Sequence, residues 1–426
     1  MTTKIGELGR GVSIIGTGVT PFGYVNQTPE IKDMTERELF AWAAIAAMEN
    51  AGLESKDLDA FFVAHVFDET LSHTIGDYGV MADWIGMRNK PGFHHEAACA
   101  STNVGLRHAV TMVASGVHDF VLSGGVEISS SRPLEGKPAH MREAMNQGEL
   151  WYKIDYGADQ AYWYPTGKSG GVDEFCVAYA KKYGLTLQQM HDTMAHAAIN
   201  NRYNGVRNPL ATFAKKTFEE EAKERGFNDP MDYMKSKFNA KIGLVYRPFF
   251  GAITADGASA LIVCPTEMAK KITDDYVEVI GFGSAAACGY HNMDDVTGAA
   301  FEQAYKMANI KDPYKEVDYM HVHDCNICMQ FVDSEIGGYF KPGEAWSAIQ
   351  EGRTRFDGDK PLSTSGGRNS MGHAFAASGG AEIAEAVNQM LGKCGARQVK
   401  RRPEISVVHN FGHGINANVT VLRAHN

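Results

Sequence analysis

The chain runs through one order of strands and helices twice, and this repetition restricts its architecture more than any other feature. Gly11 to Gly18 (GVSIIGTG) reads as a buried strand running into a glycine turn, and Val277 to Gly283 (VEVIGFG) matches it much later. After the first strand, Thr35 to Ala51 reads as an amphipathic helix, with Thr35 and Glu38 as a capping box and Gly52 as its stop. Ala60 to Val66 reads as the next strand. After the second copy, Thr297 to Ala308 reads as the equivalent helix and Val317 to His323 as the equivalent strand. The parallel continues with a helix from about Asn103 to Ser115 and a strand, Asp119 to Ser123, ending in Gly124-Gly125. Its counterparts are a helix from about Ser378 to Leu391 and a strand, Ile405 to His409, ending near Gly412.

Such alternation implies an α/β protein with mostly parallel sheets and helices on their faces. Duplication implies two similar halves packed together, with a site where the turns of both converge. The expected organisation is an N-terminal half at 1–129 plus 242–270, an inserted subdomain at 130–241, and a C-terminal half at 271–426. The insert is richer in Tyr, Met, His and charge and has weaker strand signals; such segments cover active sites, make subunit contacts or are plain surface excursions.

With 426 residues, 44% of them hydrophobic and 22% charged, the chain has room for a large core and two or three domain-sized units. A net charge of -10, with no basic block longer than Lys400-Arg401-Arg402, argues against nucleic acid or an anionic membrane as partner. No apolar run reaches the roughly 18 residues that span a bilayer, and Lys4, Glu7 and Arg10 interrupt any signal-peptide core. The expected location is cytoplasmic. Seven cysteines, an odd number spread from Cys99 to Cys394, suit a reducing compartment better than a disulfide framework.

Cys99, in His95 to Asn103 (HEAACASTN), directly precedes a helix-like segment, where backbone N–H groups and the helix dipole favour thiolate. Its small neighbours Ala97, Ala98 and Ala100 equally suit an inert buried cysteine. Three further stretches fall at strand ends or before helices, where α/β folds bind ligands: His323-Asp324-Cys325-Asn326, Gly366 to His373 (GGRNSMGH) and His409 to Gly414 (HNFGHG). Together they bring thiol, imidazole and backbone donors to one point, as acyl transfer through a thioester requires. A neighbouring imidazole brings a thiol of ordinary pKa near about 8.5 into use at neutral pH, while a second thiol kept protonated can shuttle a proton. His323 as a core histidine, and Cys325 with Cys328 as a redox or metal pair, remain open on this reading. No second Cys-x-x-Cys supplies the other ligands of a zinc site.

The set resembles the thiolase superfamily, in the branch related to sterol carrier protein thiolases. Glu96 to Leu106 resembles its nucleophile stretch, His323-Asp324-Cys325 its His-Asp-Cys stretch, Gly366 to Gly379 its Gly-His loop, and Ile253 to Leu261 (ITADGASAL) its strand-and-turn signature. The likeness covers nearly the whole chain. It implies a thiolase fold: two duplicated βαβαβαββ halves in an αβαβα layered arrangement with an inserted loop subdomain. It also implies roles. His373 takes the Cys99 proton, and Cys99 attacks the keto carbon of a 3-ketoacyl-CoA. His323 and His373 stabilise the departing CoA-ester enolate, Cys325 protonates it, and the backbone N–H groups of Cys99 and Gly414 hold the acyl oxyanion. Coenzyme A is then a substrate and no metal is expected; Lys168, Arg202, Lys215 and Lys216 are candidates for its contacts.

Departures from the resemblance carry their own implications. Ala374 stands where relatives have Pro, Asn326 where they have Phe, and Asn410 where degradative thiolases keep their acid cysteine, so the acid falls to Cys325. Arg368, His321, Asn326 and His413 make the expected pocket polar. A polar or carboxylated substrate follows, such as benzoylsuccinyl-CoA cleaved to benzoyl-CoA and succinyl-CoA. Further implications are a homodimer through apolar edge strands next to Cys99 and a small OB-fold, zinc-binding partner subunit. Other readings are a condensing enzyme, which would put Asn where this chain has His373, and a retro-aldol lyase, which would lack Cys99. A carbon–carbon bond-forming acyltransferase or a non-catalytic acyl-CoA-binding subunit completes the set.

Overall fold

The computed structural model describes residues 9–66, 76–128, 170–286, 293–412 and 416–425. The strands are β1 (Val12–Val19), β2 (Ala60–Ala64), β3 (Gly92–His95), β4 (Val121–Glu127), β5 (Gly257–Pro265), β6 (Val277–Ala286), β7 (Tyr319–His321), β8 (Ile405–Gly412) and β9 (Asn416–Ala424). They form one sheet in the order β3-β2-β4-β5-β1-β6-β9-β8-β7. Read outward from the β1–β6 junction, β1-β5-β4-β2 on one side is mirrored by β6-β9-β8-β7 on the other. The repeat in sequence is thus a repeat in space.

The sheet is mixed, which corrects the expectation of mostly parallel pairing. β2 runs parallel to β3 and β4, and β7 to β8; every other pairing is antiparallel. Only residues 413–415 separate β8 from β9, too few for a crossover, so the two can pair only as a hairpin. β4 and β5 repeat that antiparallel pairing across the long insertion.

No glycine turn follows β1 either; Gly16 and Gly18 lie inside the strand. A Cβ on Gly16 would sit 2.3 Å from the Ala47 carbonyl oxygen, and one on Gly18 2.0 Å from that of Ala43, so bare glycine lets the Glu36–Ala51 helix rest on the strand. The second half repeats the device. A Cβ on Gly281 or Gly283 would come within 2.5 Å of the Ala304 oxygen or 1.8 Å of the Ala300 oxygen in the Met293–Ala308 helix. Register slips at the same place in both strands, between Ile14 and Gly16 and between Val279 and Gly281.

The Glu36–Ala51 helix has the capping box expected of Thr35 and Glu38 and ends on Gly52 in the left-handed region, at φ 66°. It covers the outer face of the first half. The Met293–Ala308 helix covers that of the second. Between them lie the Ser101–Ser115 and Phe375–Leu391 helices, whose Leu106, Val110, Ile383 and Val387 share one core with strand residues of both halves, among them Ile14, Leu261, Val279 and Leu422. Five layers, αβαβα, result. The described part of the insert contains the helices Gly170–Tyr183, Leu187–Gly205, Phe218–Glu224 and Pro230–Lys235. Leu187–Gly205 reaches across to the second half, where Asn200 donates to the Ile349 carbonyl (2.8 Å) and Asn201 to the Asp324 carboxylate (3.1 Å). Among the described residues, no helix is long and apolar enough to cross a membrane.

Candidate active site

Both central helices begin at the same place. Ahead of Ser101–Ser115 stands a single 3-10 turn, Ala98–Ala100, which raises Cys99 at the helix N-terminus with 8% of its surface exposed. Ala98 takes φ 50°, a left-handed conformation that an L-residue adopts at some cost, so the turn must be held by its neighbours. Glu96 accepts from the Ala98 N–H (2.5 Å), and the Ser101 hydroxyl accepts from the Ala97 N–H (2.8 Å) while donating to the Ala98 carbonyl (2.6 Å). From the far side Gly412, at the end of β8, packs so closely that a Cβ there would stand 2.3 Å from the Ala97 oxygen.

His373 lies two residues before the Phe375–Leu391 helix, and its Nε2 is 3.0 Å from Cys99 Sγ. Its Nδ1 contacts the Ser378 hydroxyl at 2.9 Å, which fixes the ring plane. The loop that carries it is sewn to the segment ahead of β5: the His373 N–H donates to the Ile253 carbonyl (2.7 Å) and the Ala255 N–H to the His373 carbonyl (3.0 Å). The same segment binds the other two loops, through Ala252 N–H to the Cys325 carbonyl (2.7 Å) and Ile253 N–H to the Arg368 carbonyl (3.2 Å). One extended stretch therefore sets the spacing of His373, Arg368 and Cys325.

His323 is buried beside His373, with ring centroids 6.0 Å apart and nearly perpendicular planes. Arg368 lies between them and is itself 1% exposed. Its Nη1 donates to His323 Nδ1 at 2.6 Å and stands 3.5 Å from His373 Nε2. Its remaining edge is matched by Glu382, with Nε to Oε1 at 2.6 Å and Nη2 to Oε2 at 3.0 Å, and by the Asn410 amide oxygen. Asn410 also donates to Glu382 (2.7 Å), closing the network. Because guanidinium only donates, and the Phe411 N–H also points at Nδ1 (3.3 Å), His323 accepts there and carries its proton on Nε2.

These contacts set the proton inventory. Burial, and then the Arg368 charge, push the pKa of both His323 and His373 well below the ordinary imidazole value, so both rest neutral. Burial, and then the neighbouring Cys99, push the Cys325 thiol well up, so it keeps its proton. A neutral base touching one thiol, beside a second thiol that stays protonated, can run proton transfer in both directions.

The same burial governs acid stability. His95 is lowered to about 4 and His409 to about 3, chiefly by burial, and His323 and His373 move the same way. The unfolded chain binds protons near about pH 6.5 that the folded chain refuses, so stability is full above that pH and falls as pH drops toward 4. Each such imidazole contributes a slope of up to roughly 1.4 kcal/mol per pH unit. Urea midpoints measured at pH 7.5, 5.5 and 4.5 should decline in that order; a midpoint that holds from 7.5 to 4.5 would contradict neutral burial.

The structure brings Cys99, His323, Cys325 and His373 together, whereas Gly414 and His413 lie outside the described residues. Lys168 lies outside them too. Two of the residues expected to make a polar pocket are held within the protein: Arg368 is buried among Glu382, Asn410 and the two imidazoles, and His321 is buried against the Ser365 hydroxyl at 3.0 Å. Asn326 stays partly exposed, its amide 3.8 Å from Cys325 Sγ. Cys328 is fully buried toward Cys176 rather than paired with Cys325, and among the described residues no group of three His, Cys, Asp or Glu side chains is placed to hold a metal ion. Sequence reasoning missed Glu382. Its signal was a glutamate repeated at 382 and 385 in a helix of small apolar residues, where burial demands a cationic partner; Arg368 and Arg397 provide one each.

Comparison with known proteins gives the family. The family described as thiolase, N-terminal domain, matches residues 12–267, and that described as thiolase C-terminal domain-like matches 288–424. The chain belongs to the thiolase family and is an acyltransferase of that type. It is 31% identical over 410 residues to an acetyl-CoA acetyltransferase of Methanothermobacter thermautotrophicus, covering 95% of this chain and 96% of that one. It is 26% identical over 423 residues to the benzoylsuccinyl-CoA thiolase subunit BbsB of Thauera aromatica, covering 97% and 98%. The same fold occurs in the Ltp2-ChsH2(DUF35) aldolase structure, at a TM-score of 0.72 and 19% identity over 97% of this chain and 98% of that one.

Proposed function

We propose that the protein cleaves a 3-ketoacyl-CoA with free coenzyme A through an acyl-Cys99 intermediate. The observation that carries this is the 3.0 Å approach of His373 Nε2 to Cys99 Sγ, thiol and base coming from opposite halves. His373 removes the thiol proton as sulfur attacks the keto carbon. Collapse of the adduct breaks the carbon–carbon bond and leaves a CoA-ester enolate, whose oxygen faces the Nε2–H of His323. Cys325 supplies the proton to the enolate carbon and recovers one from the coenzyme A thiol, whose sulfur takes the acyl group from Cys99 while His373 returns its proton to the released Cys99 sulfur. The Cys99 and Gly414 backbone N–H groups are assigned to the acyl oxyanion.

For coenzyme A itself, Lys215 and Lys216 stand on the wall of a groove of about 650 Å³ that also contains Tyr24, Phe213 and Glu221. Phe213 lies against Gly372, one residue from His373, so this groove adjoins the catalytic loop. Arg202 is not available there: it is paired with Glu221 at 2.8 Å. Benzoylsuccinyl-CoA is the more specific substrate reading, supported by likeness to BbsB along nearly the whole chain. A small OB-fold, zinc-binding partner belongs to that reading, since BbsB is described as a subunit and the Ltp2-ChsH2(DUF35) structure contains two components. A homodimer fits the position of β3 at the edge of the sheet formed by the described strands, where Phe93 is 41% exposed.

A panel of 3-ketoacyl-CoA esters, assayed with and without such a partner, tests these proposals. Thiolysis of at least one ester, with a matching acyl adduct on Cys99 by mass spectrometry, is the expected outcome; no adduct under turnover sinks the mechanism. Acetoacetyl-CoA cleaved as fast as benzoylsuccinyl-CoA would remove the aromatic dicarboxylate reading alone.

A further inference from the structure

We propose that Arg368 is a positioning residue for acyl transfer, fixing the His323 tautomer and placing a permanent positive charge beside the Cys99–His373 pair. The inference rests on the reading of Cys99 as nucleophile and deepens it.

Guanidinium has five N–H groups. Glu382 receives one from Nε and one from Nη2, Asn410 takes the second from Nη2, and His323 Nδ1 takes one from Nη1. The fifth, on Nη1, is left between the two imidazoles, 3.4 Å from His323 Nε2 and 3.5 Å from His373 Nε2. The latter nitrogen is also the one facing Cys99 Sγ at 3.0 Å. A plain structural salt bridge would direct both ends of the guanidinium into protein, whereas here one end is satisfied by carboxylate and amide and the other points at the reacting groups.

Two consequences follow. A donor that cannot accept holds His323 with its proton on Nε2, ready to donate to an enolate oxygen and unable to drift to the other tautomer. A fixed cation near the pair favours sulfur as thiolate and disfavours a resting imidazolium, so the proton moves on with the reaction instead of staying on His373. Glu382 tempers this charge without cancelling it, since the carboxylate meets the far edge of the guanidinium.

The charged and titratable groups around Cys99 come from several elements. They are His373 and Arg368 on the glycine loop, His323 and Cys325 after β7, Glu382 on the Phe375–Leu391 helix, and Glu96 in the nucleophile turn itself. Changing Arg368 alone would strand a buried Glu382 and risk the fold. The informative variants are therefore the double replacement Arg368→Met with Glu382→Leu, and Glu382→Gln alone, each checked for native near-UV circular dichroism.

The readout is the rate at which iodoacetamide alkylates Cys99, followed on its peptide by mass spectrometry from pH 5 to 10. In the double variant the alkylation midpoint should move up by about one unit or more, which slows labelling at pH 7 about tenfold. In Glu382→Gln it should move down, because the guanidinium charge is less compensated. A purely structural Arg368 predicts no shift in midpoint, or shifts of the same sign in both variants, and either result overturns the proposal. Acylation of wild-type Cys99 is scored separately: if it fails, the nucleophile assignment falls, whereas acylation with unmoved midpoints removes only the role of Arg368.

Discussion

Replacing Cys99 by alanine should abolish the acyl adduct and lower thiolysis by roughly 10⁴-fold or more, because the covalent route disappears with the sulfur. The substitution removes one atom from a site lined by Ala97, Ala98 and Ala100, so unfolding is not the expected cause of any loss. What changes in stability is the partner of His373 Nε2, worth about 1 kcal/mol. A thermal midpoint close to wild type alongside lost turnover is therefore the expected pair of results. Residual thiolysis within tenfold of wild type would mean that another group attacks the substrate, and Cys325 would be the first to examine.

The second large effect separates the two thiols. Cys325→Ala should lower cleavage of a 3-ketoacyl-CoA by about 10²–10⁴-fold, the usual contribution of a positioned acid, because the enolate leaves without a proton donor. Acylation of Cys99 by a simple acyl-CoA forms no carbanion, so exchange between that ester and free coenzyme A should continue in the variant. Loss of both reactions to the same extent would show that Cys325 supports the fold of the cleft and is not its acid. The division depends on unequal surroundings: Cys99 has an imidazole and a helix N-terminus at its sulfur, while enclosure holds the Cys325 proton in place.

The repeat, the helices and the candidate residues that the fold brings together, Cys99, His323, Cys325 and His373, were legible in the sequence because each rests on local chemistry. The Thr35/Glu38 box and Gly52 bound a helix whatever lies around it, and a cysteine directly before a helix keeps its electrostatic setting in any fold. Sheet direction was not legible. Alternating strands and helices look alike whether β5 pairs parallel or antiparallel with β4, and that choice is made by contacts between distant segments. The glycines of β1 and β6 were misread for the same reason: a residue chosen for what rests against it resembles a residue chosen for a turn. Arg368 was seen as a polar pocket residue because its partner Glu382 lies fourteen positions away on a helix that shows its burial only once packed.

The Cys99 sulfur and the His373 imidazole are separated by 274 positions and belong to different repeats. Until the two repeats dock, Cys99 has its helix N-terminus but not the imidazole that, on the proposed mechanism, takes its proton. On that mechanism the joining of the repeats, rather than the folding of either alone, completes the pair and acts as a safety catch on the sulfur.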